Sequence, residues 1–148
     1  RSDCVYEHVR FRKGWGFEMN LKDQMNGVQH VGVPTNDIKT TIKFYEELGF
    51  EIAFQTVNEA ANEKVAFLKL GNLVIETYEN KAAKMESGAI DHVAIDVKDI
   101  EKVHELVTAA GLNTTNDEVH FLPFWENGVK FFTIEGPNKE KVEFSQYL

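Results

Sequence analysis

The sequence predicts an α+β fold of two tandem modules, each a strand, a helix and about three further strands. Three observations predict it. "GVQHVGVPTNDI" from Gly27 and "AIDHVAIDVKDI" from Ala89 repeat one pattern, placing His30 and His92, and Asp37 and Asp99, 62 positions apart. Each copy then runs into a stripe of helical period ended by a glycine, Gly49 in the first and Gly111 in the second. Each copy closes on an alternating strand that carries one glutamate after a glycine-marked turn, Glu76 after Gly71 and Glu143 after Gly136.

The elements follow in order. Residues 1–24 lack the apolar core and cleavage site of a secretory signal. They read as an N-terminal extension or expression scar whose aromatics Tyr6, Phe11, Trp15 and Phe17 can pack on a groove or a partner. The first module opens with the strand "VQHVGVP". A helix from about Asp37 to Leu48 follows, capped by Asn36 or Asp37, with Ile38, Thr41, Ile42, Tyr45 and Leu48 along one face. Strands near "FEIAFQTV", "EKVAFLKL" and "NLVIETYE" complete it. The second module reads as strand "IDHVAIDV" and a helix from about Asp99 to Ala110, with Ile100, Val103, Val107 and Ala110 as its stripe. Strands in "LNTTNDEVHFLPF", "VKFFTIE" and "EKVEFSQYL" follow.

Alternation along the strands assigns faces. Val31 and Val33 have opposite parity to His30, and Val93 and Ile95 to His92. Leu73 and Ile75 likewise oppose Glu76, and Val142 and Phe144 oppose Glu143. The apolar face packs beneath the helices, so two imidazoles and two carboxylates project from the other side. If the two sheets curve around one cleft, these four converge as a donor set suited to Zn, Ni, Co, Mn or Fe. A single strand histidine is more often structural; four donors at repeat-equivalent positions make coincidence a poor explanation.

At 148 residues with 43% hydrophobic composition the chain fits one domain, and no apolar run approaches the roughly 20 residues of a membrane span. The formal net charge of −8, spread through the chain, argues against nucleic-acid binding. Neither nucleic acid nor membrane is expected as a partner. Cys4 is the single cysteine, so no internal disulfide can form and a reducing cytoplasm fits. Among the remaining histidines, His104 takes the helix position of Ile42 and is expected to pack, and His120 is expected to be solvated. Phe121, Phe124 and Trp125 form either an apolar wall over a substrate or part of the core.

The stretches "HVGVPTNDIKTTIKFYEELGFE", "NLVIETYEN", "DHVAIDVKDIEKVHELVTAAG" and "IEGPNKEKVEFSQ" resemble the vicinal oxygen chelate superfamily, and within it glyoxalase I, the lactoylglutathione lyase, most of all. The resemblance covers about residues 27 to 148. It implies a glyoxalase-like domain over 25–148, with module one at about 27–80 and module two at about 89–148. The paired βαβββ modules would form a U-shaped sheet around a metal cleft, with the helices on the outer face.

It also makes His30, Glu76, His92 and Glu143 the ligands of a divalent metal, nickel or zinc first, cobalt or manganese next. The implied reaction converts a methylglyoxal–thiol hemithioacetal to a lactoyl thioester through an enediolate, with a ligand carboxylate as base; either glutamate can serve, and Glu143 is the expected base with Glu76 as its counterpart. Glutathione or another thiol is the implied co-substrate. Asn80 matches an asparagine that contacts glutathione, whereas Pro34 stands where many such enzymes carry a glutathione-gripping arginine. Related proteins are often homodimers, and the cleft forms within one chain or between two. Two other readings of the same fold are an epimerase or isomerase of another small carbonyl substrate and a bleomycin-resistance-like binding protein.

Overall fold

The computed structural model describes residues 10–12 and 18–148, with side chains from Leu21 onward. Tyr6, Trp15, Phe17 and the side chain of Phe11 lie outside the described residues. Strands β1 (Arg10–Arg12) and β2 (Glu18–Asn20) pair antiparallel as a two-stranded sheet of their own, and a short 3-10 turn, Leu21–Gln24, leads out of it.

Module one comprises β3 (Val31–Pro34), α1 (Ile38–Glu47), β4 (Glu51–Asn58), β5 (Glu63–Leu70) and β6 (Leu73–Tyr78). Module two comprises β7 (His92–Asp96), α2 (Ile100–Ala109), β8 (His120–Leu122), β9 (Val129–Glu135) and β10 (Lys141–Tyr147). Their sheets have the same topology, β3-β6-β5-β4 and β7-β10-β9-β8. In each, the first strand pairs parallel with the last and the other neighbours are antiparallel.

The α+β class and the tandem βαβββ modules are as the sequence predicts, but the two sheets do not close into one. Edges β3 and β7 are not paired with each other, and residues of the linker before β7 lie beside them. Val31, Val33, Met85, Ile90 and Val93 line the cleft of about 470 Å³ that remains.

Both helices start where the sequence places a cap. The Asp37 carboxylate accepts from the Lys39 and Thr40 amides, and Asp99 accepts from Lys102 N. The Thr40 hydroxyl and amide, with further help from Lys39, hold the Asp37 carboxyl below its usual range. Gly49 (φ +101°) and Gly111 (φ +75°) then take the left-handed conformation that ends each helix. A second tie repeats between modules: Ile38 N donates to Glu79 Oε2 and Ile100 N to Gln146 Oε1, each at 2.8 Å. Glu79 and Gln146 lie three residues beyond Glu76 and Glu143, so each helix start is fixed to the strand that carries the glutamate.

One core joins the modules. Ile38, Phe44, Tyr45 and Phe50 from the first helix region, Ala66, Leu68 and Ile75 from its sheet, and Ile100, Phe132, Ile134, Val142 and Phe144 from module two bury in a single cluster. Phe132 stacks on Phe144 with centroids 5.0 Å apart. Thr77, on the same face of β6 as Ile75, is fully buried, and its hydroxyl has no hydrogen-bond partner among the described residues.

A polar seam crosses between the modules beside this core. Tyr45 OH donates to Glu140 Oε1 (3.2 Å), Asn138 N donates to Glu140 Oε2 (2.9 Å), and Asn138 Nδ2 donates to Thr41 Oγ1 (3.0 Å). Burial pushes the Glu140 carboxyl above its ordinary value, despite donors that favour the anion. Burial and the Glu140 carboxylate also push the Tyr45 phenol well up.

The sequence reading places a strand across "LNTTNDEVHFLPF", but only His120–Leu122 is one. Residues before it form a loop around Asp117, whose side chain takes the hydrogen bond a strand neighbour would otherwise supply: Thr133 N donates to Asp117 Oδ2 at 2.9 Å.

Because the folded-state pKa of Glu140 lies above its unfolded value near 4.5, the native state keeps this proton over a window in which the unfolded chain loses it. The contribution is complete below that unfolded value and is lost as pH rises through the folded one. Urea unfolding measured from pH 4.5 upward is expected to show this decline in wild type and a flatter profile in Glu140→Gln.

Candidate metal centre

The parallel pairing of first and last strands sets the geometry of both candidate pairs. In register, Glu76 lies opposite Gly32 and Glu143 opposite Ala94, residues themselves 62 positions apart. Each histidine sits two residues before that small residue. With no bulky side chain opposite the glutamate, the imidazole can lean across. His30 Nε2 lies 2.9 Å from Glu76 Oε2, and His92 Nε2 lies 3.4 Å from Glu143 Oε2. Alternation keeps all four off the core face, where Ile75, Val142 and Phe144 are buried.

The other imidazole nitrogen is engaged in both modules. His30 Nδ1 is 2.9 Å from Gln29 Oε1, and His92 Nδ1 is 2.9 Å from Asp91 Oδ2. Lys141 Nζ donates to the other Asp91 oxygen at 2.9 Å. The His92 contact, and after it Lys141, hold the Asp91 carboxyl below the usual range. These supporting residues were missed in the sequence, although a polar residue immediately before each histidine was a readable signal. The His30 ring also stands edge-on to Phe67, 5.7 Å between centroids, and Phe54 lies beyond Phe67 at 6.2 Å.

Imidazole nitrogen and carboxylate oxygen fit a divalent transition metal, and each module supplies two such donors. Among the described residues of one chain, no three His, Cys, Asp or Glu side chains gather to hold a metal ion. The structure thus brings His30 to Glu76 and His92 to Glu143, but does not bring the two pairs together. Asn80 and Pro34 line the cleft between β3 and β7, as does His92. The Asn80 amide oxygen accepts from Ala82 N at 2.9 Å.

The remaining candidates fall into place around module two. Phe121, Phe124 and Trp125 are 55%, 55% and 75% exposed, which removes the core alternative for them; Trp125 stands edge-on to Tyr147. His104 packs edge-on to Phe132, as expected of a residue in the Ile42 position, and its Nε2 also donates to Asp117 O at 2.8 Å. His120 is exposed and its Nε2 lies 2.7 Å from Asp117 Oδ1. Burial would raise the Asp117 carboxyl, but the bonds from His120 and Thr133 N outweigh it and the net shift is downward. Buried Asn113 secures the loop, donating to Asp117 O (2.9 Å) and accepting from Asp117 N (3.0 Å).

Comparison with known proteins agrees with this architecture. The family model for the glyoxalase/bleomycin resistance protein/dioxygenase superfamily matches residues 27–144. The chain belongs to that superfamily. Protein YwbC of Bacillus subtilis, described as uncharacterized, is 28% identical over 124 residues, spanning 80% of this chain and 96% of its own. Among solved structures, a glyoxalase family protein from Enterococcus faecalis superimposes with a TM-score of 0.65 at 22% identity, covering 82% of this chain and 98% of that one. The fosfomycin resistance protein FosX from Listeria monocytogenes, solved with Mn(II) and sulfate, gives a TM-score of 0.60 at 15% identity, covering 84% of this chain and 94% of its own. At such identities the likeness is one of fold. Among the described residues no helix is long and apolar enough to cross a membrane.

Replacing Asn113 by alanine leaves the Asp117 amide without its acceptor and is expected to cost about 1–3 kcal/mol. Denaturant unfolding of Asn113→Ala against wild type measures that loss.

Proposed function

We propose that the protein is a metal-dependent lyase or isomerase of glyoxalase I type, acting on the hemithioacetal of methylglyoxal and a thiol. The observation that carries this reading is the repeated imidazole–carboxylate pair, at 2.9 Å in module one and 3.4 Å in module two. Superfamily membership and a Mn(II)-bound neighbour of the same fold support a divalent metal.

With two donors per module and unjoined sheets, the reading requires a second copy of the chain. Module one of one copy faces module two of the other, and a homodimer carries two complete sites. A divalent metal held by His30, Glu76, His92 and Glu143 would supply a Lewis acid that stabilises oxyanion charge, nickel or zinc suiting this donor set. Glu143 removes the proton from C1 of the hemithioacetal and returns it at C2, while the hydroxyl proton passes from the C1 oxygen to the C2 oxygen, so that substrate and product are isomers and no proton is consumed. Glu76, from the facing module, is its counterpart on the other side of the substrate. Asn80 reaches the thiol portion.

A second reading retains the proton transfer but changes the substrate to another small carbonyl compound. It is favoured by Pro34, which offers no cation to a glutathione carboxylate, and by the Asn80 amide oxygen already being used on Ala82 N.

The decisive assay is isomerase turnover on the methylglyoxal–glutathione hemithioacetal after loading Ni, Zn, Co or Mn in turn and verifying that each is bound. Turnover by wild type and a loss of at least about 100-fold in Glu143→Gln are expected. Bound metal without turnover on this adduct sinks the glutathione reading and leaves the second one. Complementation tests the shared site. A His30→Ala chain and a His92→Ala chain, each inactive alone, should regain roughly a quarter of wild-type activity when mixed, since half the dimers are mixed and each restores one site of two. No recovery on mixing sinks the shared-site arrangement.

A further inference from the structure

The two histidines are held by different kinds of acceptor, and the difference predicts different behaviour. A neutral imidazole has one N–H and one lone pair, and its partners decide which nitrogen bears which. The Gln29 carbonyl and the ionised Asp91 carboxylate have no proton to give, so a hydrogen bond to either needs the proton on Nδ1. Each histidine meets a rival acceptor at Nε2, its glutamate. For His92 the Asp91 oxygen is nearer, 2.9 Å against 3.4 Å for Glu143. For His30 the neutral Gln29 oxygen and the charged Glu76 oxygen stand at the same 2.9 Å. Charge-assisted bonds are about twice as strong as neutral ones, so Glu76 wins the His30 proton, and the Gln29 amide then turns its NH2 toward the Nδ1 lone pair.

Lys141 sharpens the contrast. It occupies one Asp91 oxygen while His92 occupies the other, so the carboxylate is held at both ends. Lys141 lies two residues before Glu143 on β10; the residue two before Glu76 is Val74, which has no charge to offer.

We propose that Asp91 is a positioning residue that fixes His92 as the Nδ1–H tautomer and keeps its Nε2 lone pair available beside Glu143, with Lys141 clamping Asp91. Module two is thereby set to receive a metal before it arrives, and module one, with Gln29, sets its histidine only as the metal displaces the proton. This rests on the proposed metal site for its function, but the tautomer is a property of the metal-free chain. A merely structural role would act through stability, and with the Asp91 side chain 56% exposed the ion pair is worth little to folding.

The test uses the full chain. In the metal-free protein, at a pH where the rings are neutral, long-range ¹H–¹⁵N NMR should find His92 as the Nδ1–H tautomer and His30 chiefly as Nε2–H. Asp91→Ala should release His92 to the other tautomer, while Asp91→Asn, which retains an acceptor oxygen, should keep it. In titrations with Co(II) read by visible absorption, Asp91→Ala should bind about 10–100-fold more weakly and Asp91→Asn should recover part of the loss. Gln29→Ala should do less. An unchanged His92 tautomer in Asp91→Ala, or Co(II) affinity unchanged there but lost in His92→Ala, overturns the proposal. If His30→Ala and His92→Ala both leave Co(II) binding intact, the metal-site reading fails instead, while the tautomer result still decides what Asp91 does.

Discussion

Parallel pairing between the first and last strand of each module is the constraint from which the rest of the structure follows. Parallel neighbours cannot be joined by a tight turn, so the chain must cross over, and the crossing element is a helix. That helix covers one face of the sheet and buries Ile75, Phe132, Val142 and Phe144. The opposite face is then obliged to be polar or exposed, and strand alternation puts His30, Glu76, His92 and Glu143 there. The bonds from Ile38 N to Glu79 and from Ile100 N to Gln146 lock the crossover to the last strand, so helix and glutamate cannot shift independently.

The modules meet through their helix-side surfaces and not through their polar faces. The shared core and the Tyr45–Glu140–Asn138–Thr41 seam lie on that side. Such a union satisfies the apolar surface of both modules at once, and it leaves β3 and β7 as free edges flanking a cleft. Each polar face, carrying one imidazole–carboxylate pair, is therefore left outside the union of the modules. The seam itself is exacting at one position: a side-chain carbon on Gly136 would run into the Glu140 carboxylate.

The elements and their facing were legible because each rests on local rules. Asp37 and Asp99 cap, Gly49 and Gly111 terminate, and the parity of Val142, Glu143 and Phe144 assigns a face without any tertiary knowledge. The pairing of each histidine with its own glutamate was also within reach of the repeat. The relation between the two pairs was not, because alternation says which side of a sheet a residue takes but nothing about how two sheets dock. The loop before β8 defeated the reading for a different reason. Its alternation resembles a strand, yet Asn113 and Asp117 are short polar residues whose side chains compete with the ladder for backbone partners. Asp91 and Gln29 escape the alternation rule, by which a residue adjacent to a strand histidine points the other way, because the histidines lie at or before the first residue of their strands.

Thr77 shows where this arrangement has slack. Its hydroxyl is enclosed on the packed side of β6, one residue from Glu76, and nothing among the described residues answers it. An unmet buried hydroxyl costs on the order of 1–3 kcal/mol, a cost that a valine of nearly the same shape would not incur. The strand that presents Glu76 thus carries a stability cost that comes from a single oxygen atom. Module one has a margin for evolutionary or engineered hardening that can be taken up from behind the sheet, without touching a residue on its polar face.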